Sequence, residues 1–143
     1  MATFTIIRDT DLPAKQIWNI LSDFTRSPIS AFTVKVEKNG DSRSNGIGTI
    51  RILNIGKRRF RERLESVEPP NLFSYQLLSG APVKEYFGTV DVQSRNSTAF
   101  INWNVKFTPK IIGTGWIIKR LAKRTINHVI DEIISEYLQK IRK

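Results

Sequence analysis

The chain contains no cysteine, a single histidine and only 13 acidic residues against 23 basic ones. Without cysteine there is no disulfide framework, no thiolate nucleophile and no zinc–thiolate centre. With His128 alone, a multi-histidine metal site is excluded and a nucleophile–base triad has no support. Carboxylate-only metal sites stay open on composition, but no acidic calcium-loop spacing is present. No cofactor is expected. No apolar run approaches the roughly 20 residues of a membrane-spanning helix. The segment Met1–Asp9 lacks a basic stretch followed by a long apolar one, so a secretory signal is not expected and a cytoplasmic location is.

What is present suits a soluble single domain covering 1–143. A chain of 143 residues buries about two thirds of its unfolded surface on folding. The net charge of +10 fits an anionic ligand, nucleic acid, an acidic membrane or an acidic partner, and equally fits solubility alone. Exposed aromatics interleaved with cations, as single-stranded nucleic-acid binders use, are not evident. That argues against nucleic acid.

The pattern along the chain changes period twice. Residues 3–9 alternate as a strand. Asp11-Leu12-Pro13 then opens a helix, with Asp11 as its cap and Pro13 in the first turn, where a missing N–H costs nothing. Ile17, Ile20, Leu21 and Phe24 form its apolar face, with Trp18 at the edge, and it stops near Asp23. Residues 25–31 read as a second short helix or a loop. Strands follow at about 32–38, 47–55, 58–68, 72–79, 84–94 and 97–107, separated by turn-rich breaks. From about Gly113 the period becomes helical. Ile118, Ala122, Ile126, Val129, Ile130, Ile133, Tyr137 and Ile141 share one side of a helix roughly 40 Å long.

Two hairpins carry the site argument. In the first, a two-residue turn at Gly56-Lys57 sets Arg51 opposite Glu62, Leu53 opposite Phe60 and Thr49 opposite Leu64. Alternation then places Arg51, Leu53, Phe60, Glu62 and Leu64 on one face and Arg59, Arg61, Arg63 and Glu65 on the other. An ion pair on an apolar face needs a reason, because buried charge is costly unless paired. In the second hairpin, a turn at Arg95-Asn96 sets Val90 opposite Ile101, Gly88 opposite Trp103 and Tyr86 opposite Val105. Gly88 would leave room for the Trp103 indole or for a ligand beside it.

Strand, one or two short helices, about six further antiparallel strands and a long C-terminal helix is an order with a known counterpart. It resembles the helix-grip fold of the START and birch-pollen-allergen (SRPBCC) superfamily, and most resembles its polyketide cyclase/dehydrase family. The segments that carry the likeness are Leu12–Phe24, Gly46–Arg51, Arg61–Leu64, Pro69–Tyr75 and Glu85–Val90. The resemblance implies an α+β fold in which a curved antiparallel sheet of about seven strands grips the long helix. It also implies a cavity between them for an apolar or amphipathic ligand. Two departures stand out. The Trp-Pro segment of many relatives is replaced by Thr25–Ser30, without the tryptophan. The Gly56-Lys57 turn is too short for the gating loop of the related plant hormone receptors, although Ser79–Pro82 can still border a cavity mouth.

The candidate ligand-binding residues are Arg51, Glu62, Tyr86, Trp103, Tyr75, Phe60 and Val129; none is assigned a catalytic role. Arg51 and Glu62 are either a polar anchor for a ligand or a pair that satisfies only itself. Arginine offers five donors, so one carboxylate leaves some free. A Glu62 already paired with Arg51 is a weak general acid or base. Tyr75, Tyr86 and Trp103 line a cavity or are plain core, since aromatics supply much of any core's buried area. Phe73 and Leu77 share those faces. His128 falls off the apolar side of the last helix and is expected at the surface. Lys119, Arg120, Lys123 and Arg124 either meet an acidic membrane or partner or form a solvated face. Beside them, Ile111–Ile118 is a lid, a contact with membrane or another protomer, or the buried start of the helix.

The expectation is therefore a binding or transport module for a small hydrophobic ligand, lipid- or polyketide-like, as a monomer or weak dimer. Nothing forces an enzyme. If there is one, a polyketide cyclase or aromatase is the alternative. A basic surface that binds acidic membrane or RNA is the third.

Overall fold

The computed structural model describes residues 1–141, with the side chains of Ser44 and Ile141 outside the described set. The placement of Ile141 on the helix's apolar side therefore lies outside what is described. The order is β1 (Ala2–Thr10), α1 (Ala14–Leu21), β2 (Thr33–Lys38), a 3-10 turn (Ser42–Ser44), β3 (Ile50–Ile55), β4 (Arg58–Glu68), β5 (Leu72–Ser79), β6 (Val83–Arg95), β7 (Thr98–Pro109) and α2 (Gly115–Ile141). The strands form one antiparallel sheet in the order β1-β7-β6-β5-β4-β3-β2. This is the α+β helix-grip arrangement.

Period-two alternation explains which face is buried. Along β7, Ala99, Ile101, Trp103, Val105 and Phe107 are buried, while Asn102, Asn104 and Lys106 point away. Along β1, Phe4 and Ile6 do the same. On α2, Ile118, Ile126, Val129, Ile130 and Ile133 face the sheet, as the helical period requires. Two polar ties hold α2, one to the sheet and one to the loop between α1 and β2. Arg8 on β1 donates to Asp131 at 2.6 Å and to Asn127 at 3.1 Å. Ser30 donates its N–H and its hydroxyl to Glu136 Oε1, at 2.9 and 2.5 Å. Register shifts in β4, at Arg61/Glu62 and at Leu64/Ser66, mark bulges, which bend a strand and increase its twist.

The first hairpin has the expected register, with Arg51 opposite Glu62 and Leu53 opposite Phe60. Gly56 takes φ +58° at the turn, a conformation glycine adopts without steric penalty. The second hairpin differs. Its pairing is shifted by two residues, so Val90 faces Trp103, Gly88 faces Val105 and Tyr86 faces Phe107. The turn is Asn96-Ser97, with Asn96 at φ +57°, because asparagine tolerates the left-handed region better than Arg95 does. A two-residue slip preserves the side-chain faces. Inward and outward assignments therefore hold while the partners change.

Other local expectations are corrected too. Pro13, extended at φ −61°, is the N-cap of α1, and no side chain caps that helix. Asp11 does not reach it; instead Thr10 Oγ1 accepts from the Leu12 N–H at 2.9 Å. Trp18 is buried rather than at the edge and packs edge-on against Phe73 at 5.8 Å. Of the two alternatives for residues 25–31, the loop is the one adopted, whereas 47–49 precede β3 rather than joining it.

Candidate functional site

Between the sheet and α2 lies a cavity of about 520 Å³, and Arg51, Phe60, Glu62, Tyr75, Tyr86, Trp103 and Val129 all line it. The first hairpin contributes Arg51, Leu53, Phe60 and Glu62 by alternation. β5, β6 and β7 contribute Tyr75, Tyr86 and Trp103, and α2 contributes Ile118, Ala122, Thr125, Ile126 and Val129. The wall is mostly apolar, with a few converging polar groups, as small-molecule sites usually are. Ile111, Ile117 and Leu121 line the cavity and are also exposed, so it opens to the surface at the start of α2. Ala81 and Pro82 of the β5–β6 turn border the same end.

Arg51 is buried, and both Nε and Nη2 converge on Glu62 Oε1, at 3.0 and 2.9 Å. Its guanidinium lies over the Phe24 ring, 3.9 Å from the centroid. Stacking on one face and ion pairing along one edge fix the side chain. Among the described residues, no group bonds Arg51 Nη1 or Glu62 Oε2. Neither is a buried polar atom without a partner, so one donor nitrogen and one acceptor oxygen remain open, on two residues that line the cavity. The pair is neutral overall, and each half still has capacity for a ligand.

The aromatic cluster sits beside it. Trp103 Nε1 donates to the Tyr75 hydroxyl at 3.1 Å, with the two rings edge to face at 6.3 Å. Tyr86 lies next, 6.5 Å from Tyr75. Burial, then the neighbouring Tyr86 and the Glu62 carboxylate, push the Tyr75 phenol well above its ordinary range. Burial and Glu62 raise Tyr86 in the same direction. A hydrogen bond between the two phenols also contributes, raising Tyr75 and lowering Tyr86, and both stay protonated throughout the neutral range.

Gly88 makes room, but not for Trp103. It pairs with Tyr75 on one side and Val105 on the other. A Cβ at Gly88 would collide with Cε1, Cζ and Oη of Tyr75. The missing side chain thus seats the ring that accepts from Trp103.

Sequence reasoning missed Phe24 as the Arg51 partner, along with Pro28, Phe32, Arg58 and Thr125 as lining residues. Thr125 had a signal: it stands one turn before Val129 on the same face. Phe24 had none, because its contact depends on how the loop after α1 folds back. Phe73 and Leu77 join the wall, whereas Leu64 borders a separate, smaller hollow of about 280 Å³. His128 is exposed. Among the described residues, no helix is long and apolar enough to cross a membrane.

Solved structures of similar architecture extend over nearly all of the chain. Ara h 8.0201 superposes with a TM-score of 0.78 at 12% identity, covering 96% of this chain and 98% of its own. The ZhuI aromatase/cyclase from Streptomyces sp. R1128 gives 0.76 at 14%, covering 98% and 95%. A START superfamily protein from Mycobacterium smegmatis gives 0.75 at 14%, covering 96% and 97%. At such identities the likeness is one of fold. No curated protein matches the sequence. Residues 1–140, however, match the family described as polyketide cyclase/dehydrase and lipid transport. With the seven-stranded grip on its long helix, the chain belongs to that family, within the SRPBCC superfamily.

Proposed function

We propose that the protein binds and carries a small hydrophobic or amphipathic molecule, lipid- or polyketide-like, in the cavity between sheet and α2. The supporting observation is the combination of a 520 Å³ apolar space with one open donor on Arg51 and one open acceptor on Glu62. Enclosing apolar surface supplies the affinity, at roughly 25 cal/mol per Å² removed from water. The polar cluster orients one end of the ligand. Because the ion pair is neutral, it suits a hydroxyl or carbonyl group better than a second full negative charge. A cytoplasmic location belongs to the same reading.

Native mass spectrometry of protein purified from its own host tests this. The expected result is a retained small molecule, lost on denaturation and at least tenfold depleted in Arg51→Gln. A protein that emerges empty and fails to take up fluorescent apolar probes would overturn the proposal.

The cyclase or aromatase reading is favoured by one observation: the Tyr86 phenol and the Arg51 guanidinium border the same space, and donors of this kind polarise carbonyls. It predicts cyclised product from a linear poly-β-keto thioester. Unchanged turnover in Arg51→Gln and Tyr86→Phe would sink it.

A further inference from the structure

The open end of the cavity is framed by Ile55 and Arg58 on either side of the Gly56-Lys57 turn, by Ala81 and Pro82 of the β5–β6 turn, and by Ile111 and Thr114 of the 110–114 connection into α2. The last two are tied together, since the Lys110 N–H donates to Pro82 O at 3.0 Å. This end exposes five large apolar side chains between Ile111 and Leu121: Ile111, Ile112, Trp116, Ile117 and Leu121. Ile112 is 98% exposed and Trp116 65%. The display has a defined local geometry. The Thr114 hydroxyl donates to Ile111 O at 2.6 Å, and Thr114 O accepts from Ile117 and Ile118 N–H as the helix begins. Scattered apolar residues on a surface need no explanation, but a contiguous group does.

Charge separates the possible occupants. No acidic residue stands between Asp91 and Asp131, nor between Asp41 and Glu62. Lys57, Arg58, Lys110, Arg120 and Arg124 fall in those two stretches, and among the described residues none is in an ion pair. Trp116, Arg120 and Arg124 are four apart and share a helix face, next to Ile117 and Leu121. Lys119 and Lys123 do not join them as closely: both are half-buried, and Lys123 Nζ leans over Phe4 on β1 at 5.9 Å. A second copy meeting this face symmetrically would set cation against cation.

We infer that this end of the molecule docks on an anionic lipid bilayer. Ile112 and Trp116 enter the boundary between headgroups and acyl chains, and Lys57, Arg58, Lys110, Arg120 and Arg124 meet lipid phosphates. The mouth lined by Ile111, Ile117 and Leu121 then opens onto lipid rather than water. Docking goes beyond the cavity reading and needs no ligand in the cavity, so either can fail while the other stands.

Trp18 and Trp103 are buried, which makes Trp116 a built-in probe. The test is co-sedimentation and tryptophan fluorescence with phosphatidylglycerol-containing vesicles against pure phosphatidylcholine vesicles. Binding is expected only to the anionic vesicles, with a blue shift that Trp116→Phe removes. Arg120→Glu/Arg124→Glu should weaken binding by about fivefold or more per residue, as should added salt. Ile112→Asp, at a fully exposed position, leaves the fold intact and should abolish the stable complex. No binding to anionic vesicles at low salt would overturn the inference. Equal binding by Ile112→Asp would also do so, by reducing the contact to charge alone. A blue shift on self-association without vesicles would assign the face to a second copy and equally overturn it.

Discussion

The inner part of the cavity and its mouth are built from opposite materials. Inside, charge and polarity are held by neighbours: Arg51 by Glu62 and Phe24, Tyr75 by Trp103. At the mouth, Ile112 and Trp116 are exposed, and the nearby cations have no ion-pair partner among the described residues. The contrast teaches that a substitution inside registers as stability, whereas one at the mouth registers only when something else is present to touch it.

The largest expected effect comes from breaking the inner ion pair on one side. Arg51→Met leaves the Glu62 charge in an apolar wall and should cost about 3 kcal/mol in urea unfolding. The Arg51→Met/Glu62→Leu double variant should cost less than the single one, because no unpaired charge remains. A double variant costing the sum of two singles would show that the pair is not coupled.

Next is Gly88→Ala. Its methyl has no space against Tyr75, and overpacking of this kind costs about 1–3 kcal/mol. Near-ultraviolet circular dichroism should change as well, since displacing Tyr75 disturbs its contact with Trp103.

The phenols give a pH dependence of known sign. In the unfolded chain they ionise near pH 10, while the folded protein holds both protons to higher pH. Their contribution is complete below about pH 10 and falls as pH rises beyond it. Stability measured against pH should therefore show an alkaline decline that Tyr75→Phe/Tyr86→Phe reduces. An unaltered decline would mean that other groups, such as the lysines, govern it.

The smallest effect belongs to the mouth. Ile112→Asp should shift unfolding by no more than about 0.5 kcal/mol, although it is the variant expected to abolish vesicle binding. A large loss of stability there would erase the contrast between the two regions.

How much of this is legible in the chain follows from the range of each signal. Alternation along β3 and β4, with Gly56 at the turn, is a local pattern, and it suffices to set Arg51 opposite Glu62, the pairing that the sheet adopts. The β6–β7 turn is local too, but Arg95-Asn96 and Asn96-Ser97 give the same faces, so alternation does not choose between them. Phe24 lies at the start of a loop without period, and only the path of that loop brings the ring under Arg51. The exposure of Trp116 is open for a similar reason: an apolar helix start is buried or bare depending on what packs over it.

The sequence by itself determined the strand and helix order, the inward faces, the surplus of positive charge and the exclusion of thiol and multi-histidine chemistry. These depend on composition and on periods of two and 3.6, which need no distant contact. Tertiary structure decided that Arg51 Nη1 stays free, that Tyr75 fills the space at Gly88, and that the mouth is apolar, with Arg58 among its lining residues. Each of those depends on segments far apart in the chain meeting, and a local pattern carries no information about that.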